Sequence, residues 1–170
     1  MKIVIVTGAT GFIGANMIEV LSKAGVNVLA VCRPDSENIG RICKLKNVKI
    51  INGDLERIDA VVNAVQKMEI DAIYHLAWNS ASGKEREDHK AQVQNVIYAS
   101  NVFELAKRIG CKKIIVTGTV SEKLCKKIGN LEDYVPTAYY LFAKRYIYDH
   151  LKQACIQAKI KLVWITFVTQ

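Results

Sequence analysis

Three glycines near the start of the chain could do chemistry together. Gly8, Gly11 and Gly14 fall in the run Val6-Thr7-Gly8-Ala9-Thr10-Gly11-Phe12-Ile13-Gly14. A continuous apolar stretch, Lys2–Val6, precedes them, and a helical pattern follows. Glycines at such a junction allow positive φ and close backbone approach. The start of the helix then offers free N–H groups and the positive end of its dipole to an anion. That is the chemistry of pyrophosphate binding. The dinucleotide fingerprint reads G-x-G-x-x-G, whereas one extra residue separates the first two glycines here. Gly11 and Gly14 keep their places relative to the helix, so the turn is longer rather than broken. Gly14 should let helix and strand pack closely.

Other reactive residue types are dispersed. The five cysteines, Cys32, Cys43, Cys111, Cys125 and Cys155, form no C-x-x-C, and none is paired at metal spacing with His75, His89 or His150. An odd, scattered count reads as reduced thiols in a cytoplasmic protein, with no metal site. The net charge of +8 has two readings. One is a nucleic-acid face; the other is attraction of a phosphate-rich small ligand beside ordinary solvated lysines. The basic residues are spread and no nucleic-acid motif accompanies them, so no nucleic-acid partner is expected. No apolar run approaches the roughly 20 residues of a membrane span, and the first residues read as a strand rather than a signal peptide.

The elements that must position the glycines alternate in type. After Lys2–Val6, a helix carries Ile13, Met17, Leu21 and Ala24 and ends at Gly25. Asn27–Cys32 is the second strand and Val48–Ile51 the third, with an irregular crossover between them holding at most a short helix. Ile58, Val61, Val62, Val65 and Met68 mark a helix, and Asp71–Leu76 the fourth strand. A long helix covers about Asp88–Ile109 and closes at Gly110, before the fifth strand Lys112–Thr117. A loop of about twenty residues leads to a helix from Pro136-Thr137 to about Lys159, then to the sixth strand, Leu162–Val168. This alternation predicts one α/β domain over residues 1–170. The economical form is a doubly wound parallel sheet of strand order 3-2-1-4-5-6, with its ligand at the switch point between strands 1 and 4.

With these elements in place, Val6–Gly14 closely resembles the T-G-x-x-G-F-I-G signature of the extended short-chain dehydrogenase/reductases. These are NAD(P)-dependent epimerases, dehydratases and reductases of nucleotide sugars built on a Rossmann fold. The resemblance covers the whole chain. It implies that Gly8, Thr10, Gly11, Phe12, Ile13 and Gly14 form the cofactor turn. Gly53-Asp54-Leu55 resembles the family's G-D-L, implying that the Asp54 side chain and the Leu55 N–H face the adenine; read alone, Asp54 would be a helix cap. His75-Leu76-Ala77-Trp78 resembles H-L-A-A, implying that Leu76, Ala77 and Trp78 line the cofactor. Asn95 matches the asparagine that braces the family's active site.

The resemblance also implies a catalytic Tyr-x-x-x-Lys pair and a hydroxyl residue. Tyr140/Lys144 and Tyr148/Lys152 both fit that spacing. Residues four apart share a helix face, so position decides between them. The start of a crossover helix lies at the C-terminal edge of the sheet, where the ligand sits. Tyr140 is in the first turn, while Tyr148 is roughly 12 Å farther down the helix. Tyr140 and Lys144 are therefore the expected pair, and both should also touch the cofactor. A neighbouring ammonium favours the phenolate, so Tyr140 could take or give an alcohol proton as hydride moves. Thr119, just after the fifth strand, is the expected hydroxyl, with Thr117 and Ser121 as alternatives; Lys123 stands where a Tyr is usual.

An acid at the end of strand 2 would favour NAD through the ribose 2′-OH. This chain has Arg33 there, which suits a 2′-phosphate, and Asp35 comes two residues late, so NADP is expected before NAD. Family members continue past strand 6 into a C-terminal substrate domain, and no counterpart follows Leu162–Val168. The expected activity is hydride transfer on a nucleotide sugar, if such a domain is supplied. The alternative is a non-catalytic NAD(P)-binding sensor or partner module. Uncovered apolar surface would favour a homo-oligomer.

Overall fold

The computed structural model describes residues 2–120 and 137–167. The expected positions Ser121, Lys123, Cys125, Pro136 and Val168 lie outside the described residues. In chain order the elements are β1 (Ile3–Thr7), α1 (Phe12–Lys23), β2 (Asn27–Cys32), β3 (Val48–Asn52), α2 (Asp59–Val65), β4 (Ala72–His75), α3 (His89–Arg108), β5 (Lys113–Thr119), α4 (Ala138–Ala158) and β6 (Lys161–Phe167). Two short 3-10 turns, Glu37–Arg41 and Gly83–Glu87, interrupt the β2–β3 and β4–α3 connections. Among the described residues, no helix is long and apolar enough to cross a membrane.

The strands form one sheet in the order β3-β2-β1-β4-β5-β6. Every pairing is parallel, with β1 held between β2 (Val4↔Val28) and β4 (Val4↔Ala72). Strands buried on both faces need apolar residues at nearly every position, which is why Ile3-Val4-Ile5-Val6 reads as a continuous run. Successive side chains then point to opposite layers. Ile5, Leu29, Ile73 and Ile114 pack with α2, α3 and α4 through Val61, Val102, Leu105, Ile147 and Leu151. Val4, Val6, Val28 and Ala30 pack on the other side with Ala15 and Ile18 of α1 and with Ile42, just after the first 3-10 turn.

The expected strand order is thus the observed one, and the differences are at the boundaries. α2 stops at Val65, and Met68 joins the core from a turn in which its N–H bonds the Val65 carbonyl at 2.8 Å. β5 runs on to Thr119 because β6 pairs with it as far as Thr119↔Phe167. Thr119 is therefore the last residue of the strand rather than the first of the loop.

Candidate active site

β1 and β4 are neighbours, yet the chain leaves β1 toward β2 and reaches β4 by a separate crossover. A crevice opens where crossovers diverge in this way, and the glycine turn fills its floor. Gly8 has φ +67°, and a Cβ there would lie 2.5 Å from the Ala77 nitrogen and 2.6 Å from the Leu76 carbonyl carbon. The turn after β1 thus presses directly on the backbone after β4. A Cβ on Gly14 would run into the Gly8 carbonyl, so Gly14 lets α1 sit tightly on the turn. Gly11 is the N-cap of α1 and brings no side-chain cap. The first-turn N–H groups that a capping side chain would satisfy are left for a ligand or water.

The resulting cleft has a volume of about 230 Å³. Of the expected cofactor residues, Gly8, Thr10, Gly11, Arg33, Asp54, Leu55, Leu76, Ala77 and Trp78 line it. Phe12, Ile13, Gly14, Asn95, Tyr140 and Lys144 do not. Phe12 is 82% exposed, pointing away from the core, and Gly14 is buried behind the turn. Ser36 also lines the cleft and ties the β2 loop to the glycine turn, its hydroxyl donating to Thr10 Oγ1 at 2.8 Å. Asp35 is not among the lining residues, whereas the exposed Arg33 is. Asp54 Oδ1 accepts from the Glu56 N–H at 2.8 Å, so it shapes its own turn and is not the cap of α2, whose N-cap is Ile58. Tyr98 of α3 completes the wall; burial, first, and the Asp54 and Glu56 carboxylates raise its phenol.

The segment after β4 is held from below by α3. Asn95, fully buried, grips the backbone of Asn79 with both ends of its amide: Oδ1 accepts from Asn79 N–H at 2.8 Å and Nδ2 donates to Asn79 O at 2.9 Å. One turn earlier, Gln92 does the same for the neighbours. Its Oε1 accepts from the Trp78 indole at 3.1 Å and its Nε2 donates to the Ser80 carbonyl at 3.1 Å. Two buried amides therefore fix the orientation of Trp78 at the cleft wall.

Tyr140 and Lys144 pack on the other side of that indole. The Tyr140 ring stands nearly perpendicular to Trp78, centroids 5.6 Å apart. The Lys144 ammonium lies 3.5 Å from the Trp78 ring centroid, a cation–π contact, and donates to the Thr117 carbonyl at 2.7 Å. Both residues are buried, Lys144 to 4% exposure. A buried ammonium needs such partners, and here β5 and the β4 loop supply them. Thr117 thus contributes its carbonyl, and Thr119 ends the same strand two residues on.

The second Tyr-x-x-x-Lys pair lies elsewhere. Tyr148 packs on Trp164 of β6, centroids 5.2 Å apart, and lines a separate groove with Lys152 and Cys155. Helix geometry thus separates the two pairs as expected.

Beneath the cleft, His75 Nδ1 and Thr7 Oγ1 lie 2.8 Å apart, both buried. Nε2 of the same ring is buried without a partner among the described residues. Desolvation, with Lys144 as a lesser cause, lowers the imidazole to a pKa of about 3, so it is neutral. The spacing of Gln92 three residues before Asn95 was a readable signal for the second amide. No pattern marked Ser36, Tyr98 or the burial of His75.

Known proteins resemble this chain along most of its length. The model of the NAD dependent epimerase/dehydratase family matches residues 4–169. CDP-abequose synthase of Salmonella muenchen is 26% identical over 168 residues, covering 96% of this chain and 54% of that protein. UDP-glucuronate 4-epimerase of Thermodesulfobacterium geofontis is 29% identical over 126 residues, covering 69% of this chain and 39% of that protein. Among solved structures, UDP-glucose 4-epimerase of Thermus thermophilus in complex with NAD superposes with a TM-score of 0.76 at 20% identity, covering 96% of this chain and 54% of that one. The last likeness is one of fold. The chain spans about half the length of the first of these relatives.

Proposed function

Because the chain belongs to the NAD-dependent epimerase/dehydratase family, we propose that its switch-point cleft binds NADP(H) or NAD(H) and that Tyr140 and Lys144 serve hydride transfer on a nucleotide sugar. The glycine turn fits the pyrophosphate, because the start of α1 at Gly11 lines the cleft and carries no side-chain cap. Thr10, Gly11 and the uncapped start of α1 would hold the phosphates. Asp54 and Leu55 would meet the adenine, and Arg33 a 2′-phosphate, which makes NADP the preferred cofactor. The bound nicotinamide would accept or supply the hydride.

The chain's own residues would handle the proton. Lys144 would favour the Tyr140 phenolate and donate to a ribose hydroxyl. Tyr140 Oη would take the proton of a sugar hydroxyl, or return it when the flow is reversed. The Thr119 hydroxyl would orient the same sugar oxygen. The observation that carries the reading is the burial of Lys144 between the Thr117 carbonyl and Trp78, beside Tyr140. Cofactor binding alone does not need the Tyr140 phenol beside Lys144. Nucleotide sugars appear in the names of both these relatives, and they come to this chain as part of the proposal.

The test is Tyr140→Phe, assayed for hydride transfer with the substrate half supplied and for NADPH affinity alone. Turnover should fall by about two to four orders of magnitude, as for loss of a general acid or base, with cofactor affinity unchanged within about twofold, since the phenol adds little to binding. Full activity in the variant would refute the role.

A further inference from the structure

One cation beside Tyr140 has no part in this proton transfer. Arg86 lies in the 3-10 turn Gly83–Glu87 and is half-buried, whereas Lys84, Glu85 and Glu87 around it are exposed. Its Nε donates to the Ala81 carbonyl at 2.7 Å, which closes the turn on itself and fixes the guanidinium plane. Its guanidinium carbon lies 4.8 Å from the centroid of the Tyr140 ring. The Lys144 ammonium lies 5.9 Å from the same centroid. We propose that Arg86 is a positioning residue for the Tyr140 phenol, clamping the ring against Trp78 and supplying a second fixed positive charge to the phenolate.

The functional meaning of this inference rests on Tyr140 being the acid–base residue; the contact itself does not. A guanidinium packs flat on an aromatic face. It also keeps its charge throughout the range in which a phenol titrates, whereas an ammonium with an ordinary pKa near 10.4 titrates in the same range. Arg86 is thus a partner of constant charge across that range. Among the described residues, the other groups around Tyr140 do not duplicate it. His75 of β4 is neutral. From α3, His89 packs on the neighbouring Tyr139 ring, centroids 5.8 Å apart. Thr119 of β5 carries no charge.

The test needs neither substrate nor cofactor. Phenolate absorbance is titrated in the whole chain and in Tyr140→Phe, and the difference isolates Tyr140 from the other six tyrosines of the seven. The same pair is then measured in an Arg86→Gln background. The Tyr140 midpoint should rise by about half to one pH unit without the guanidinium, the size of shift given by a neighbouring charge that is itself half-exposed, and Arg86→Lys should restore part of it. An unchanged midpoint overturns the proposal. If Arg86→Gln does not fold, Arg86→Lys alone decides, because weaker packing and a titrating ammonium must still raise the midpoint. Failure of the catalytic reading shows separately, as hydride transfer that survives Tyr140→Phe.

Discussion

His75 joins the core to the site through a single ring. It sits at the C-terminal end of β4, shares a 2.8 Å hydrogen bond with Thr7, and leaves Nε2 buried and unpaired among the described residues. Its folded pKa of about 3 lies below the ordinary 6.5. Between those values the unfolded chain binds a proton that the folded one refuses. Stability is therefore full above the ordinary value and is lost as pH falls through that window. Urea unfolding at about pH 7 and about pH 5 should show a loss of about 2 kcal/mol from this residue, at about 1.4 kcal/mol per pH unit below the ordinary value. His75→Gln should flatten the slope; an equally steep variant would contradict the assignment. The candidate site residues themselves were readable by type and spacing. Gly8, Gly14, Asn95, Tyr140 and Lys144 each sit in a local pattern. The neutrality of His75 was not readable, because it depends on burial by segments far away in sequence.

At the scale of the element, α3 does more than cover the sheet. Asp88 caps it, its carboxylate accepting from the Lys90 and Ala91 N–H groups. One buried stripe packs the core, while Gln92 and Asn95, near its start, hold the loop that carries Trp78. Each alanine substitution at Gln92 or Asn95 leaves part-buried polar groups of the loop unpaired and should cost about 1–3 kcal/mol. The two losses should not add, because both amides fix one loop and also touch each other through the 3.3 Å contact of Asn95 Nδ2 with Gln92 Oε1. A double-mutant cycle in chemical denaturation checks this, and strict additivity would mean that the clamps act independently. The helices and strands were legible because their apolar periods are clean. Their ends were not: β5 reaches Thr119 only because β6 pairs with it, and α2 stops short of Met68, which a helical period had included.

Across the whole molecule, the alternation of strands and helices dictated the parallel sheet, and the shortness of the β2–β3 crossover was visible in its lack of period. The sheet order follows from the rules for crossovers rather than from any one residue. What position in the chain could not give is convergence. Arg33, from the β2 edge, and Trp78, from β4, are brought into one cleft with the glycine turn between them. The central claim is that this cleft is a dinucleotide site, and Trp78 in its wall is a built-in reporter. The direct measurement is a titration of the chain with NADPH and with NADH, followed by tryptophan emission, in the parent and in Gly8→Ala. Binding to the parent should be saturable and tighter for NADPH, with that preference lost in Arg33→Ala. All binding should be lost in Gly8→Ala, where a side chain would meet the Ala77 nitrogen at 2.5 Å. No saturable binding of either nucleotide to the folded parent chain would contradict the claim.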